Sequence, residues 1–258
     1  DSSYRVHMKT PGSLGGLGPD TTAEFYRMVI RRARRRFSES YPRILIHSIP
    51  VPFEVERSIV QYGTGEERMY PLLEEGLLHL ERAGADYLVI PCNTVHMFHR
   101  ELQRQLSVPL LNILEETARV CGENGFRRVG ILSTGKTLEK RLYQDALEAL
   151  GIEALEPEGS DRESVGALIY RILGGEAGEA EREEMCGLCE GLAAQGAGAI
   201  ILGCTDLQHL VSSHARPYAP PDEAVLVDEL SSPVPLVDSL EALARAVVRD
   251  MAEEAGDG

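Results

Sequence analysis

The chain contains no tryptophan and only three lysines, Lys9, Lys136 and Lys140. Chemistry that runs through a Schiff-base lysine needs that lysine framed by cofactor-binding residues. Neither Lys136 nor Lys140, the two in the body of the chain, is so framed, and no pyridoxal cofactor is expected. Positive charge is also short: 26 Lys and Arg against 41 Asp and Glu leave a formal net charge of −15. A nucleic-acid binder needs a positive footprint to displace counterions, so nucleic acid is excluded as a partner. The local exception, Arg31, Arg32, Arg34, Arg35 and Arg36, crowds the end of a predicted helix. It reads as a solvated face with cations near a helix C-terminus. No run of about 18 apolar residues exists, which excludes a membrane-spanning helix. No charged-then-apolar leader opens the chain, and a cytoplasmic location is expected. The fold is expected to begin at about Met8. Five cysteines in a chain of 258 residues do not make a disulfide framework. Their placement matters more than their number.

What the chain does have is a regular alternation of short apolar runs and longer amphipathic stretches. That is the pattern of parallel sheets covered by helices, an α/β fold. Strands are predicted at 44–46, 87–90, 110–113, 129–132, 199–202 and 225–227. Helices are predicted at 20–37, 65–83, 137–150, 164–173, 179–195 and 236–252. Two passages resemble each other. Residues 81–94, ERAGADYLVIPCNT, end a helix, run a strand and turn at Cys92. Residues 194–206, AQGAGAIILGCTD, do the same and turn at Cys204. Upstream of each lies a glycine-containing strand-to-helix turn, Gly15-Gly16-Leu17-Gly18-Pro19 in one half and Ser133-Thr134-Gly135-Lys136-Thr137 in the other. The chain thus carries one unit twice, far longer than a solenoid repeat.

Ligands of open α/β sheets sit outside the carboxyl ends of the strands, and both cysteines fall at such ends. A lone strand-end cysteine is most often a buried small hydrophobe. A matched pair at equivalent positions of a repeat calls for a different explanation. If the halves face each other, one thiol approaches a shared cleft from each side.

The turns Gly15 to Pro19, Pro91-Cys92-Asn93-Thr94-Val95-His96 and Gly203-Cys204-Thr205-Asp206 resemble the aspartate/glutamate racemase superfamily, most closely its aspartate racemase branch. The similarity runs from about Met8 to the C-terminal helix. It implies two pseudo-symmetric α/β domains, each a parallel sheet flanked by helices, with the active site in the cleft between them. The first would comprise 8–114 plus 222–258 and carry Cys92; the second would comprise 115–221 and carry Cys204. The resemblance also implies catalysis without cofactor or metal, an amino-acid substrate, and a homodimer. Cys92 and Cys204 match the paired catalytic thiols. Leu17, Asn93, Thr94, Ser133, Thr134 and Thr205 match the substrate-contacting turns, and Arg57 matches an arginine associated with the aspartate side chain. Four departures stand out. Pro11 and Ser13 replace apolar residues of the first strand, and the stretch 50–56 before Arg57 needs an insertion. Asp206 stands where the branch carries glutamate, and Gly174 stands where it carries lysine.

Inverting an α-carbon requires a proton removed from one face and a proton returned on the other, which two groups, a thiolate and a thiol, can accomplish. A thiol pKa near 8.5 lies close enough to neutrality for either form to be reached. Asn93, Thr94, Thr134 and Thr205 can stabilise a substrate carboxylate as it gains charge, or cap helices, or both. Asp206 can poise Cys204 or orient an ammonium. His96, four residues after Cys92, can assist proton transfer or supply a supporting hydrogen bond. On these grounds the expected activity is interconversion of L- and D-aspartate, with glutamate or a broader set as extensions. The alternatives are another enzyme of the superfamily (a decarboxylase, hydantoin racemase or maleate isomerase) and a non-catalytic amino-acid-binding protein.

Two further motifs compete. Residues 130–137, GILSTGKT, match a P-loop letter for letter, but Gly130 falls inside an apolar run rather than after it. Cys186 and Cys189 have metal-ligand spacing without a partner pair elsewhere, and read as incidental helix cysteines.

Overall fold

A computed structural model describes residues 8–37, 40–211, 226–227, 230 and 232–252. The first half runs β1 (Pro11–Gly15), α1 (Pro19–Arg36), β2 (Leu45–Ser48), α2 (Phe53–Tyr62), α3 (Glu66–Arg82), β3 (Tyr87–Val89), α4 (His99–Gln105) and α5 (Ile113–Glu123). The second runs β4 (Arg128–Leu132), α6 (Gly135–Glu139), α7 (Leu142–Glu148), β5 (Glu153–Leu155), α8 (Ser160–Leu173), α9 (Glu179–Ala194) and β6 (Ala199–Leu202). It closes with β7 (Leu226–Val227), β8 (Leu236–Asp238) and α10 (Ser239–Met251).

The strands form two sheets, ordered β2-β1-β3 and β5-β4-β6-β8-β7. In each half the first strand lies between the second and the third, so the duplication read in the sequence is a duplication of topology. Among the described strands, the pairings are parallel except β7 on β8, which adds an antiparallel edge. Because the chain leaves β1 to one side and returns on the other, a crevice opens between the carboxyl ends of β1 and β3. The same crossing opens one between β4 and β6. Burial on both faces explains the unbroken apolar runs of β3 and β6, whose residues are all buried.

The described residues of 222–258, grouped above with the first half, contact both halves. β8 pairs with β6 in the second sheet, while α10 returns to pack on α1 and α5. One apolar cluster therefore belongs to both halves, joining Phe25 and Val29 of α1, Val89 of β3, Ile131 of β4 and Leu243 of α10. Arg31 and Arg32 contribute to the same contact. Both pair with Glu241, Arg32 at 2.7 Å, so the basic helix end is partly an α1–α10 clamp rather than a wholly solvated face.

Other elements differ from expectation for local reasons. Leu110 makes only a bridge to Leu88, after which Asn112 caps α5 by accepting from the Leu114 N–H at 3.0 Å. The run 137–150 is broken at Arg141, whose φ of 53° is left-handed, into α6 and α7. The start of the run 236–252 is drawn into β8, and Asp238 caps α10 through the Leu240 and Glu241 amides. Among the described residues no helix is long and apolar enough to cross a membrane.

Candidate active site

The glycine turn after β1 is dictated by space. A side chain on Gly15 would meet Thr22 at 2.2 Å, and one on Gly16, whose φ is +94°, would meet the Ile49 carbonyl oxygen at 2.2 Å. The Thr22 hydroxyl accepts from the Gly16 amide at 3.0 Å, locking the turn. Leu17 is thereby carried to the cleft. Thr21, in the first turn of α1, donates to Asp206 Oδ1 at 3.5 Å, so the first half touches the carboxylate of the second.

Cys92 follows β3 and precedes a single 3-10 stretch, Thr94–Phe98. Asn93, beside it, is buried and held at both ends of its amide. Tyr143 Oη donates to its Oδ1 at 2.5 Å, and its Nδ2 donates to Ser239 Oγ at 3.1 Å. Ser239 in turn donates to the Leu202 carbonyl at 2.8 Å, on the strand that leads to Cys204. The Tyr143 ring also fills the space beside Gly203, where a Cβ would come within 2.9 Å of it. One tyrosine of α7 thus touches the residue after Cys92 and the residue before Cys204.

Cys204 is 8% exposed and its Sγ donates to Asp206 Oδ2 at 3.5 Å. Burial pushes this thiol well above its ordinary pKa; the charges of Asp206 and Cys92 push it the same way, and the Asp206 amide opposes them. Burial also raises the Asp206 carboxyl, while the hydrogen bond from Cys204 lowers it. Because a Cys92 thiolate raises the Cys204 pKa, the pair favours one thiolate with one thiol over two thiolates.

Between the two turns, the hydroxyls of Thr94, Thr134 and Thr137 form a triangle with sides of 3.1, 3.2 and 3.0 Å. Thr134 is also the cap of α6, accepting from the Thr137 amide at 3.3 Å, so capping and site geometry coexist. His96 is buried and bonded on both ring nitrogens. The Ile113 amide donates to Nε2 at 3.3 Å, which leaves Nδ1 to donate to the Cys92 carbonyl at 2.7 Å. Burial lowers its pKa to about 4, and the ring is neutral near pH 7. That is a supporting bond to the cysteine turn.

These turns enclose a cavity of about 50 Å³ lined by Leu17, Cys92, Asn93, Thr94, Thr134, Cys204, Thr205 and Asp206, together with four apolar side chains from helices and turn. Ser133 and Arg57 are not among its lining residues. Ser133 is buried behind the turn, 2% exposed. Arg57 is exposed on α2. Thr21, Thr137, Tyr143 and Ser239 were not anticipated. Thr137 and Ser239 stand in capping patterns, S-T-x-x-T and D-S-L-E, that could have flagged them; nothing local marks Tyr143.

The two competing motifs are absorbed by the fold. Gly130 lies within β4, where a Cβ would meet Leu192 at 2.9 Å. Lys136 pairs with Glu66 at 3.2 Å and with Glu139 at 3.3 Å rather than opening a phosphate loop. Cys189 is fully buried in an apolar cluster, and burial pushes its thiol up to about 12.

Residues 14–247 match the family model described as Asp/Glu/Hydantoin racemase. Over 241 residues the chain is 30% identical to the broad specificity amino-acid racemase RacX of Bacillus subtilis (strain 168), covering 92% of this chain and 96% of that protein. An aspartate racemase homologue from Pyrococcus horikoshii OT3 superposes with a TM-score of 0.73 at 26% identity, covering 95% of this chain and all of the other (100%). The aspartate racemase of Picrophilus torridus shares the fold, with a TM-score of 0.72 at 22% identity and 95% of each chain covered.

Proposed function

This chain belongs to the Asp/Glu/hydantoin racemase family and is an amino-acid racemase, and from that premise we propose that Cys92 and Cys204 are its two acid/base groups. A thiolate on one side removes the α-proton. The thiol on the other side delivers its own proton to the opposite face of the resulting carbanion. The roles exchange for the reverse direction, so one inversion returns the site with its single sulfur-bound proton on the other cysteine. The observation that carries this reading is that both thiols line one cavity, each from the strand end of its own half.

The remaining polar lining divides by chemistry. Asn93, Thr94, Thr134 and Thr205 offer neutral donors to a carboxylate as charge develops on it. Asp206 offers a hydrogen-bond acceptor to the ammonium. Ser133 supports the Thr134 turn from behind, and its hydroxyl lies 3.4 Å from the Thr134 carbonyl. Every step uses a side chain of this chain and none requires an added cofactor. Aspartate was expected through Arg57, and the exposed position of that residue supports a substrate range broader than aspartate.

The test is α-proton exchange in D₂O by the purified full chain without added cofactor, read by proton NMR, with inversion read by chiral chromatography. Exchange accompanied by inversion is the expected result. Activity that appears only on adding pyridoxal phosphate or a divalent metal would overturn the two-thiol reading, as would binding without exchange.

A further inference from the structure

The polar lining of the cavity is consumed by the groups that every α-amino acid shares. The α-proton takes the two cysteines, the carboxylate takes the Asn and Thr donors, and the ammonium takes Asp206. What remains for the side chain of the substrate is Leu17, Ile59, Met69, Val95 and Leu173. They come from five separate places: the turn after β1, α2, α3, the 3-10 stretch after Cys92, and the end of α8. Ile59, Met69 and Val95 are buried at 5%, 2% and 2% exposure, so this wall is part of the packed interior.

We propose that this wall selects amino acids with uncharged, apolar side chains of the size of methionine or leucine over those with a second carboxylate. The inference rests on the two-thiol reading of the same site. A carboxylate placed against the wall would give up its water without a charged partner among the described lining residues. It would also share a small cavity with Asp206, whose charge has the same sign. An apolar side chain incurs neither cost and displaces water from apolar surface. Met69 is unbranched and adaptable, which suits the wall to several side-chain shapes rather than to one. Lys136 does not alter this balance, since it is engaged by Glu66 and Glu139.

The experiment is a panel of single enantiomers, L-methionine, L-leucine, L-aspartate, L-glutamate and L-lysine, incubated in D₂O with the full chain. For each, kcat/KM for α-proton exchange is measured. Methionine or leucine is expected to exceed aspartate and glutamate by at least about tenfold, the ratio that a little over 1 kcal/mol of differential binding produces. Faster exchange of aspartate, glutamate or lysine overturns the inference while leaving the two-thiol reading in place. Exchange of none of the five overturns both. Two variants sharpen the outcome. Leu173→Arg supplies a cation at the half-buried edge of the wall and is expected to raise the aspartate-to-methionine ratio at least about tenfold. Arg57→Ala is expected to leave the ratio unchanged; a selective loss of aspartate in Arg57→Ala would assign the side-chain site to α2 and overturn the proposal. Should Leu173→Arg fail to fold, Met69→Leu, which keeps the wall apolar, is expected to retain the preference for methionine and leucine.

Discussion

The cysteine turns of the two halves occupy equivalent places in duplicated topology, yet they are supported differently. Two residues after Cys92 stands Thr94, whose hydroxyl joins Thr134 and Thr137 across the cleft. Two residues after Cys204 stands Asp206, a carboxylate that accepts from the thiol itself. Cys92 is half-buried and its carbonyl is pinned by a neutral histidine, whereas Cys204 is buried and its thiol is driven toward the protonated form. Topological symmetry places two thiols on one cavity. Chemical asymmetry surrounds them differently: burial and the Asp206 charge drive Cys204 toward its protonated form. A racemase needs one sulfur to keep its proton, since two equal thiolates would leave no proton to return.

The largest effect expected is from removing either sulfur. Cys92→Ala and Cys204→Ala should each reduce racemisation by at least about 10² in both directions, because general acid–base groups typically contribute 10² to 10⁴. Cys121→Ala and Cys186→Ala, outside the cavity, should stay near wild type per folded molecule. Chiral chromatography decides it, and a Cys204→Ala enzyme working at a tenth of the normal rate would break the two-base comparison.

Asp206→Asn probes the asymmetry directly. With the negative charge gone, Cys204 should react with iodoacetamide at lower pH than in the wild type, as read by mass spectrometry, while the Cys92 profile moves less. Racemisation should fall about 10- to 100-fold, the worth of a hydrogen bond to a charged group at roughly 1.5–3 kcal/mol. An unmoved Cys204 profile would mean that burial alone holds that thiol up.

Tyr143→Phe tests whether the halves are held in register by one side chain. The ring beside Gly203 is kept and only the donor to Asn93 Oδ1 is lost. A fall in kcat of about fivefold with KM nearly unchanged is expected, matching the roughly 1 kcal/mol typical of such a bond. Equal rises in KM for every substrate without a fall in kcat would assign the tyrosine to binding instead.

The last effect is on stability rather than on rate and belongs to the Cys92 side alone. His96 has its pKa lowered from 6.5 to about 4 by burial, so its contribution is fully present above 6.5 and is lost as pH falls through about 4. The difference amounts to roughly 3 kcal/mol. Asp238, raised to about 7 by burial, works the other way, its contribution being present below 3.8 and lost as pH rises through about 7. Urea unfolding of wild type and His96→Gln at pH 7 and pH 4.5 separates them, because the Asp238 contribution cancels in the difference. The wild type should lose more stability on acidification than the variant; parallel losses would show that folding leaves the His96 pKa unshifted.

The sequence by itself determined the architecture and most of the polar residues that line the cavity. Period and composition made the parallel sheets readable, because strands buried on both faces must be apolar throughout. The repeat of a strand ending in cysteine located both thiols, and glycine turns marked the loops beside them. Eight of the ten residues singled out line the cavity. Tertiary structure decided what no local pattern encodes. Leu236 to Asp238 read as the start of a helix until β6 offered a ladder to pair with. Tyr143 carries no signal because its role depends on Gly203, sixty positions along the chain, and on Asn93 in the other half. Arg57 satisfied a pattern of residues but not a direction, since the face a helix turns to its neighbours is set by packing against α3 and α8. The wall of Ile59, Met69 and Leu173 likewise exists only once three helices converge. Apolar residues scattered through a sequence look alike, and only their convergence separates the lining of a cavity from an ordinary core.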